Sequence, residues 1–199
     1  MRKTALSSNG KLKINVVAGT HVVLIGIGAK KVDVKNTLGF AIHRTDHAQG
    51  DEGKWLEGMK VFKQSASNAG ELVSTRDFPV QGFLWQDFTA RPGAEYTYRV
   101  VALTGLPGAL VEHASLDVTC KIKTEAETGA THSVWFNRGI AGSQAYARKF
   151  GIATPESVGT KAEKWLSRGL QEALLAFIAS AKTLLLGCAA RSTNSAMRP

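Results

Sequence analysis

The first two thirds of the chain alternate apolar and polar residues in short runs, a pattern that predicts β-strands. Turn-forming residues separate the runs, and no helical periodicity interrupts them. The predicted strands are His21–Ile27, Thr37–Arg44, Trp55–Phe62, Val80–Phe88, Tyr96–Leu103 and Ser115–Thr124. Short consecutive strands without intervening helices indicate an antiparallel β-sandwich, which we expect over residues 12–126. The predicted fold class is therefore mainly β, followed by a C-terminal helical segment.

The pattern becomes helical after the sandwich, and we assign residues 127–186 to a linker and helices. The run Ala141–Phe150 predicts a helix that ends at Gly151. Thr154-Pro155-Glu156 combines an N-cap residue, proline at the first helical position and an acidic first turn, so a helical turn is expected to begin there. Residues 187–199 show no periodicity and no apolar anchor, which predicts a disordered tail.

The clearest amphipathic pattern is the helix predicted over Leu166–Ile178. Its apolar residues recur at spacings of three and four, and they are Leu166, Leu170, Ala173, Leu174, Phe177 and Ile178. Such a stripe is typical of a helix that packs against a core, with a membrane-surface or partner-binding face as the alternative. A complete sandwich leaves little surface to cover it, so self-association through Leu166–Ile178 is the expected partner interaction.

Charge and composition narrow the function classes. The 199 residues carry 25 Lys and Arg against 16 Asp and Glu, a net charge of +9. These charges are scattered, so we expect weak attraction to anions and keep a dedicated nucleic-acid binder as the weaker alternative. The apolar stretch Val16–Ile27 is shorter than the roughly 20 residues of a bilayer span, and residues 7–13 interrupt any signal peptide. Two distant cysteines, Cys120 and Cys188, are typical of a reduced cytoplasmic protein.

Three candidate sites can be weighed from the residues alone. His43 and His47, with Asp51 and Glu52, could suggest a metal site, but the histidines straddle a strand end and a loop. The sequence Gly26-x-Gly28 lacks the third glycine and the following helix of a dinucleotide loop. Neither cysteine has a histidine nearby in sequence. We therefore expect no cofactor, no metal and no catalytic residue in this chain.

One structural motif spans the fourth and fifth predicted strands. Trp85-x-Asp87 precedes the Pro92-Gly93 turn, after which Tyr96 and Tyr98 alternate onto one face. Tyr96 is placed to return its hydroxyl to nearby backbone, as in a tyrosine corner. The pattern resembles the fibronectin type III and immunoglobulin-like families over roughly residues 15–125, with Ala90 as a departure, since a larger apolar residue is usual there.

A second resemblance spans about residues 21–181. The segments His132–Gly151 and Trp165–Ile178 are similar to the entry of the catalytic region in bacterial phospholipase D-like proteins. That resemblance implies phosphodiester cleavage by a nucleophilic histidine in the motif His-x-Lys-x4-Asp, used twice. None of the histidines has lysine two residues later; the five are His21, His43, His47, His113 and His132.

The missing motif leads to two hypotheses. The first is a non-catalytic N-terminal accessory fragment of a phospholipase D-like phosphodiesterase, truncated before both motifs. The alternative is a stand-alone fibronectin-like module that binds a protein or a glycan.

Overall fold

Most of the fold is built from β-strands. In the computed structural model, which describes residues 1–62, 71–138 and 144–183, the chain divides into two compact units, Met1–Gly129 and Ala130–Pro199. The strands of the first unit are β1 Arg2–Leu6, β2 Leu12–Ala18, β3 Val23–Ala29, β4 Gly39–Asp46, β5 Glu52–Trp55, β6 Glu57–Gly58, β7 Val73–Ser74, β8 Leu84–Asp87, β9 Glu95–Leu106 and β10 Ala109–Lys123.

These strands form two four-stranded antiparallel sheets and one small hairpin sheet. The first sheet has the order β1-β2-β3-β8, the second has β10-β9-β4-β5, and β6 pairs with β7. Both large sheets contribute to a single core, because alternate side chains of each strand point inward. The largest fully buried side chains are Leu12, Ile14, Ile25, Ile42, Tyr96, Tyr98, Leu103, Leu116 and Ile122. The prediction of a mainly β, antiparallel fold with C-terminal helices is confirmed.

The strand boundaries differ from the predicted ones in three places. Strand β1 begins before residue 12 and pairs with β2 from Arg2 opposite Val17 to Leu6 opposite Lys13. The predicted strand Trp55–Phe62 contributes only the end of β5 and the short β6. The predicted strand Val80–Phe88 is ordered as β8 only from Leu84, while Val80 forms an isolated bridge with Phe40. Strands β1, β5 and β8 are edge strands that are short and mostly exposed, so their residues carry little hydrophobic signal.

The second unit is helical. Its helices are α1 Gln144–Phe150, α2 Pro155–Val158, α3 Thr160–Ser167 and α4 Leu170–Thr183. The predicted N-cap is confirmed, since the Thr154 side chain accepts a hydrogen bond from the Ser157 amide. The helix predicted over Ala141–Phe150 is present from Gln144, and its first residues lie outside the described part of the chain. The tail predicted at 187–199 also lies outside the described residues.

The prediction of one continuous helix over Leu166–Ile178 was wrong. Helix α3 ends at Ser167, and Arg168 and Gly169 take left-handed backbone conformations with φ of 50° and 81°. The Arg168 amide still bonds to the Lys164 carbonyl, which closes the last turn of α3. The apolar residues of the predicted stripe therefore belong to two helices, and those of α4 from Leu174 to Ile178 are exposed rather than buried in a core.

Candidate interaction surfaces

The outward face of the sheet β10-β9-β4-β5 carries a continuous row of large side chains. His43 on β4 lies opposite Trp55 on β5 and Arg99 on β9, and Arg99 lies opposite Thr119 on β10. Residues directly opposite each other in antiparallel strands share one face. Four neighbouring strands thus present a row of Trp55, His43, Arg99 and Thr119, which we call the outer row.

Trp55 is the centre of the aromatic and cationic contacts in the outer row. The His43 ring meets its indole edge-on, with centroids 5.1 Å apart and an interplanar angle of 78°. The guanidinium carbons of Arg99 and Arg76 lie 5.8 Å and 5.9 Å from the ring centroid. Cations at this distance are attracted by the negative faces of the indole. The indole is therefore held in place by three different side chains.

Ion pairs fix the two arginines over the indole. Arg99 donates to Asp117 and to Glu112, each at 2.6 Å, and Arg76 pairs with Glu112 at 3.1 Å. The hydrogen bond that Arg99 donates to Asp117 is the main reason why the pKa of Arg99 lies above its usual value. These four side chains are each about one third exposed or slightly less. These ion pairs therefore link Arg76 and Arg99 to each other through Glu112.

A small apolar cluster lies beneath these charges. Ala41, Val101 and Leu103 are fully buried on this side of the sheet, and Trp55 and Leu110 pack against them. Burial, followed by the charge of Arg99, lowers the pKa of His43 below its usual value, so the imidazole is neutral at pH 7. The paired charges and the Trp55 ring of the outer row therefore lie over a small buried apolar cluster.

A second polar cluster lies inside the unit and joins the two sheets. Arg44 donates to Asp87 and to the Thr89 hydroxyl, each at 2.7 Å, and the Tyr98 hydroxyl donates to Asp87 at 2.8 Å. Burial alone would raise the pKa of Asp87, but the Thr89 hydrogen bonds and the Arg44 charge hold it below its usual value. Arg44, Asp87, Thr89 and Tyr98 thus form one hydrogen-bonded cluster that links the two sheets.

The histidines considered for a metal site do not converge. His47 contacts Asp51 through Nδ1 and the Thr97 hydroxyl through Nε2 at 2.7 Å, whereas His43 packs on Trp55. Glu52 is a ladder partner of Asp46 at the start of β5. Within residues 1–62, 71–138 and 144–183, no group of three His, Cys, Asp or Glu side chains could hold a metal ion.

The other sequence motifs of the first unit lie within its β-strands. Gly26 and Gly28 lie within β3, paired with Asn15 and Lys13, so they form no phosphate-binding loop. Cys120 is a buried free thiol, and burial raises its pKa; Cys188 lies outside the described residues. The tyrosine-corner hydrogen bond is confirmed, because the Tyr96 hydroxyl accepts from the Arg91 amide at 2.9 Å.

The helical unit has an aromatic centre of its own. Trp165 of α3 packs against Tyr146 and Phe150 of α1, with ring centroids 5.8 Å and 5.7 Å apart. Arg138 stacks 4.3 Å from the Trp165 ring and donates its amide to the Leu166 carbonyl. The described helices include none that is long and apolar enough to cross a bilayer.

The sequence did not reveal the outer row, because its members come from four strands with large gaps between them. The available signal was the alternation of side chains along a strand, which places Trp55 and His43 on the face that points away from the core. Comparison with protein-family models, curated proteins and solved structures finds no match to this chain. The phospholipase D and fibronectin resemblances therefore rest on the residue patterns alone.

Proposed function

We propose that residues 1–129 form a non-catalytic, fibronectin type III-like or immunoglobulin-like module that binds a protein partner through the outer row. The strand order supports this fold. Strands β2, β3 and β8 correspond to the three-stranded sheet of such a domain, and β10-β9-β4-β5 to its four-stranded sheet. Strand β1 is an addition at the edge of the first sheet. The buried free thiol of Cys120 agrees with a cytoplasmic location.

The observation that carries the proposal is that the guanidinium groups of Arg76 and Arg99 both lie over the Trp55 ring. Tryptophan and arginine are enriched among the residues that dominate binding energy at protein interfaces. A sugar ring needs an open aromatic face, but two guanidinium groups already lie over this indole. The paired carboxylates Glu112 and Asp117 give a polar rim in which a protein partner can exchange ion pairs. A protein therefore fits this surface better than a glycan.

Site-specific photocrosslinking tests this proposal. Thr119 is an exposed member of the outer row, so it is replaced by p-benzoylphenylalanine in the full chain, with Lys13 of the opposite sheet as the matched control position. Cells that produce each variant are irradiated, and the crosslinked protein is identified and purified. We expect one discrete adduct from position 119 that is absent from position 13.

The purified partner then provides the decisive measurement. We expect saturable binding by calorimetry, weakened at least about tenfold by Thr119→Arg, which places a bulky charge in the outer row. Equal adducts from both positions, or binding that Thr119→Arg leaves unchanged, would contradict the proposal. Binding of an immobilised oligosaccharide that Thr119→Arg abolishes would assign the surface to a glycan instead.

A second candidate concerns the whole chain, which we propose as an accessory part of a phospholipase D-like phosphodiesterase. The two segments that carry the resemblance contact each other, since Arg138 stacks on Trp165 and bonds to Leu166. The chain contains no His-x-Lys-x4-Asp motif, so no turnover is expected from it alone. Hydrolysis of bis(p-nitrophenyl) phosphate, a phosphatidylcholine analogue or plasmid DNA above the level of a buffer blank would refute this candidate.

A further inference from the structure

Helix α4 presents an exposed apolar face in the helical unit. Leu174, Leu175, Phe177 and Ile178 are 55%, 60%, 64% and 40% exposed. At 3.6 residues per turn these four side chains cover an arc of about 160° around the helix. Glu172 and Ser180 lie on the opposite side of α4. The apolar side of α4 is therefore exposed to solvent, as are Glu172 and Ser180 on the other side of the helix.

The same unit holds most of the net positive charge of the protein. Residues 130–199 contain nine Lys and Arg against three Glu, out of the net +9 of the whole chain. Lys161 and Lys164 are exposed on α3, three residues apart and therefore on one face of that helix. Helix α4 follows α3 after only Arg168 and Gly169. An exposed apolar helix thus adjoins a helix with a basic face.

We propose that α4 docks on the surface of an anionic phospholipid bilayer. A second copy of this unit would bring together two units that each carry nine Lys and Arg against three Glu, so their repulsion disfavours self-association through α4. Nucleic acid would satisfy the positive charge but would leave the leucine and phenylalanine side chains in water. An anionic membrane surface satisfies both features, because acyl chains receive the apolar arc and lipid phosphates attract the lysines.

The helix is expected to lie in the plane of the interface. Leu174 and Phe177 would enter the boundary between headgroups and acyl chains, and Glu172 would remain on the aqueous side. This inference concerns residues 130–199 and does not depend on the outer row of the first unit. A failure of one proposal therefore leaves the other intact.

Vesicle flotation of the full chain tests the docking. The probes are large unilamellar vesicles of phosphatidylcholine alone and of phosphatidylcholine with 30% phosphatidylserine, a fraction on the order of that in anionic leaflets. We expect at least about tenfold stronger partitioning to the anionic vesicles in low salt, and a marked reduction at about 0.5 M NaCl, where the screening length is short.

Two variants separate the apolar and the electrostatic contributions. Leu174→Asn with Phe177→Asn is expected to reduce partitioning at least about tenfold, and Lys161→Glu with Lys164→Glu to remove the preference for phosphatidylserine. The control changes Leu6 and Phe88 to Asn, since these exposed residues of the first unit have 59% and 66% exposure. Circular dichroism verifies the helix content of each protein.

The opposite results would overturn the proposal. They are absence of the full chain from anionic vesicles, or equal flotation of the Leu174→Asn/Phe177→Asn variant and the wild-type protein. A dimer that this variant converts to monomer in sedimentation experiments, without vesicle binding, would assign the α4 face to a second copy. Salt-sensitive binding of an oligonucleotide that the variant retains, again without vesicle binding, would assign the charge to nucleic acid.

Discussion

The Arg44 guanidinium on β4 reaches the Asp87 carboxylate on β8 at a distance of 2.7 Å, and this contact joins the two large sheets through their common core. Both side chains are buried. Tyr98 and Thr89 satisfy further hydrogen-bonding capacity of Asp87, and the guanidinium lies 5.1 Å from the Tyr96 ring centroid. The pair therefore fixes how β8 faces β4 and β9, because any relative shift would leave a buried charge without its partner.

Removal of one member of this pair should destabilise the β unit strongly. Arg44→Met leaves Asp87 charged and buried, and we expect a loss of about 3–5 kcal/mol in the free energy of unfolding, measured by urea titration. The double variant Arg44→Met/Asp87→Leu should recover part of that loss, because it removes both buried charges. Lys121→Met breaks an exposed ion pair with Glu95 and should leave the free energy of unfolding nearly unchanged. An Arg44→Met effect as small as that of Lys121→Met would contradict the assignment.

Protonation of His43 in the outer row should lower the stability of the protein at mildly acidic pH. Its pKa is lowered in the folded state by burial and by Arg99, so the unfolded chain binds the proton more readily. Stability should therefore be complete above about pH 6.5, the usual histidine pKa, and should fall as the pH decreases below it. His43→Gln should flatten the melting temperature between about pH 5 and 7, whereas His132→Gln, an exposed histidine in the other unit, should not. A wild-type melting temperature that rises on acidification through this range would refute the argument.

The two core tyrosines make different hydrogen bonds and should respond differently to loss of the hydroxyl. Tyr96 accepts from the Arg91 amide, whereas Tyr98 donates to the buried Asp87. Tyr96→Phe should cost about 1 kcal/mol, as for an average neutral hydrogen bond. Tyr98→Phe should cost about 1.5–3 kcal/mol, because the lost partner is charged. Urea unfolding of both variants checks the order, and a larger loss for Tyr96→Phe would contradict it.

Local patterns predicted the core strands well and the outer row poorly. Alternation in β9 places Tyr96, Tyr98 and Val100 on one face, so the sequence alone indicates a strand with an inward side. The Tyr96 hydrogen bond was predictable too, since its partner Arg91 lies only five residues away. The contact of Trp55 with Arg99 depends on strand pairing across the sheet, and Arg76 reaches Trp55 from the turn after β7; the spacing of these residues specifies neither contact.

The helical unit shows a different limit of pattern reading. A spacing of three and four continues from Leu166 to Ile178, although the backbone changes direction at Arg168 and Gly169. The glycine that follows α3 is typical of a helix end, but the prediction of one continuous helix gave more weight to the apolar spacing. Amphipathicity also identifies which side of α4 is apolar without saying what covers that side. The exposure of Phe177 is therefore seen in the structure but could not be predicted from the sequence.

Gly39 should tolerate no side chain at the start of β4. Its φ is +143°, and an added Cβ would lie 2.6 Å from the Val80 carbonyl oxygen, which accepts the Phe40 amide in the bridge between these segments. Neither the backbone oxygen nor Phe40 can move without losing that hydrogen bond. Gly39→Ala is therefore expected to cost at least about 2 kcal/mol, the sum of backbone strain and a weakened bridge.

Gly28→Ala provides the matched control for this prediction. Gly28 also lies in a strand, but an added Cβ would have its nearest neighbour, the Lys13 carbonyl oxygen, at an ordinary 3.8 Å. Alanine restricts the unfolded chain more than glycine does, so Gly28→Ala should be neutral or stabilising by up to about 1 kcal/mol. Urea unfolding of the two variants should separate them clearly. Equal stability of Gly39→Ala and the wild-type protein would mean that Val80 does not hold β4 in the described position.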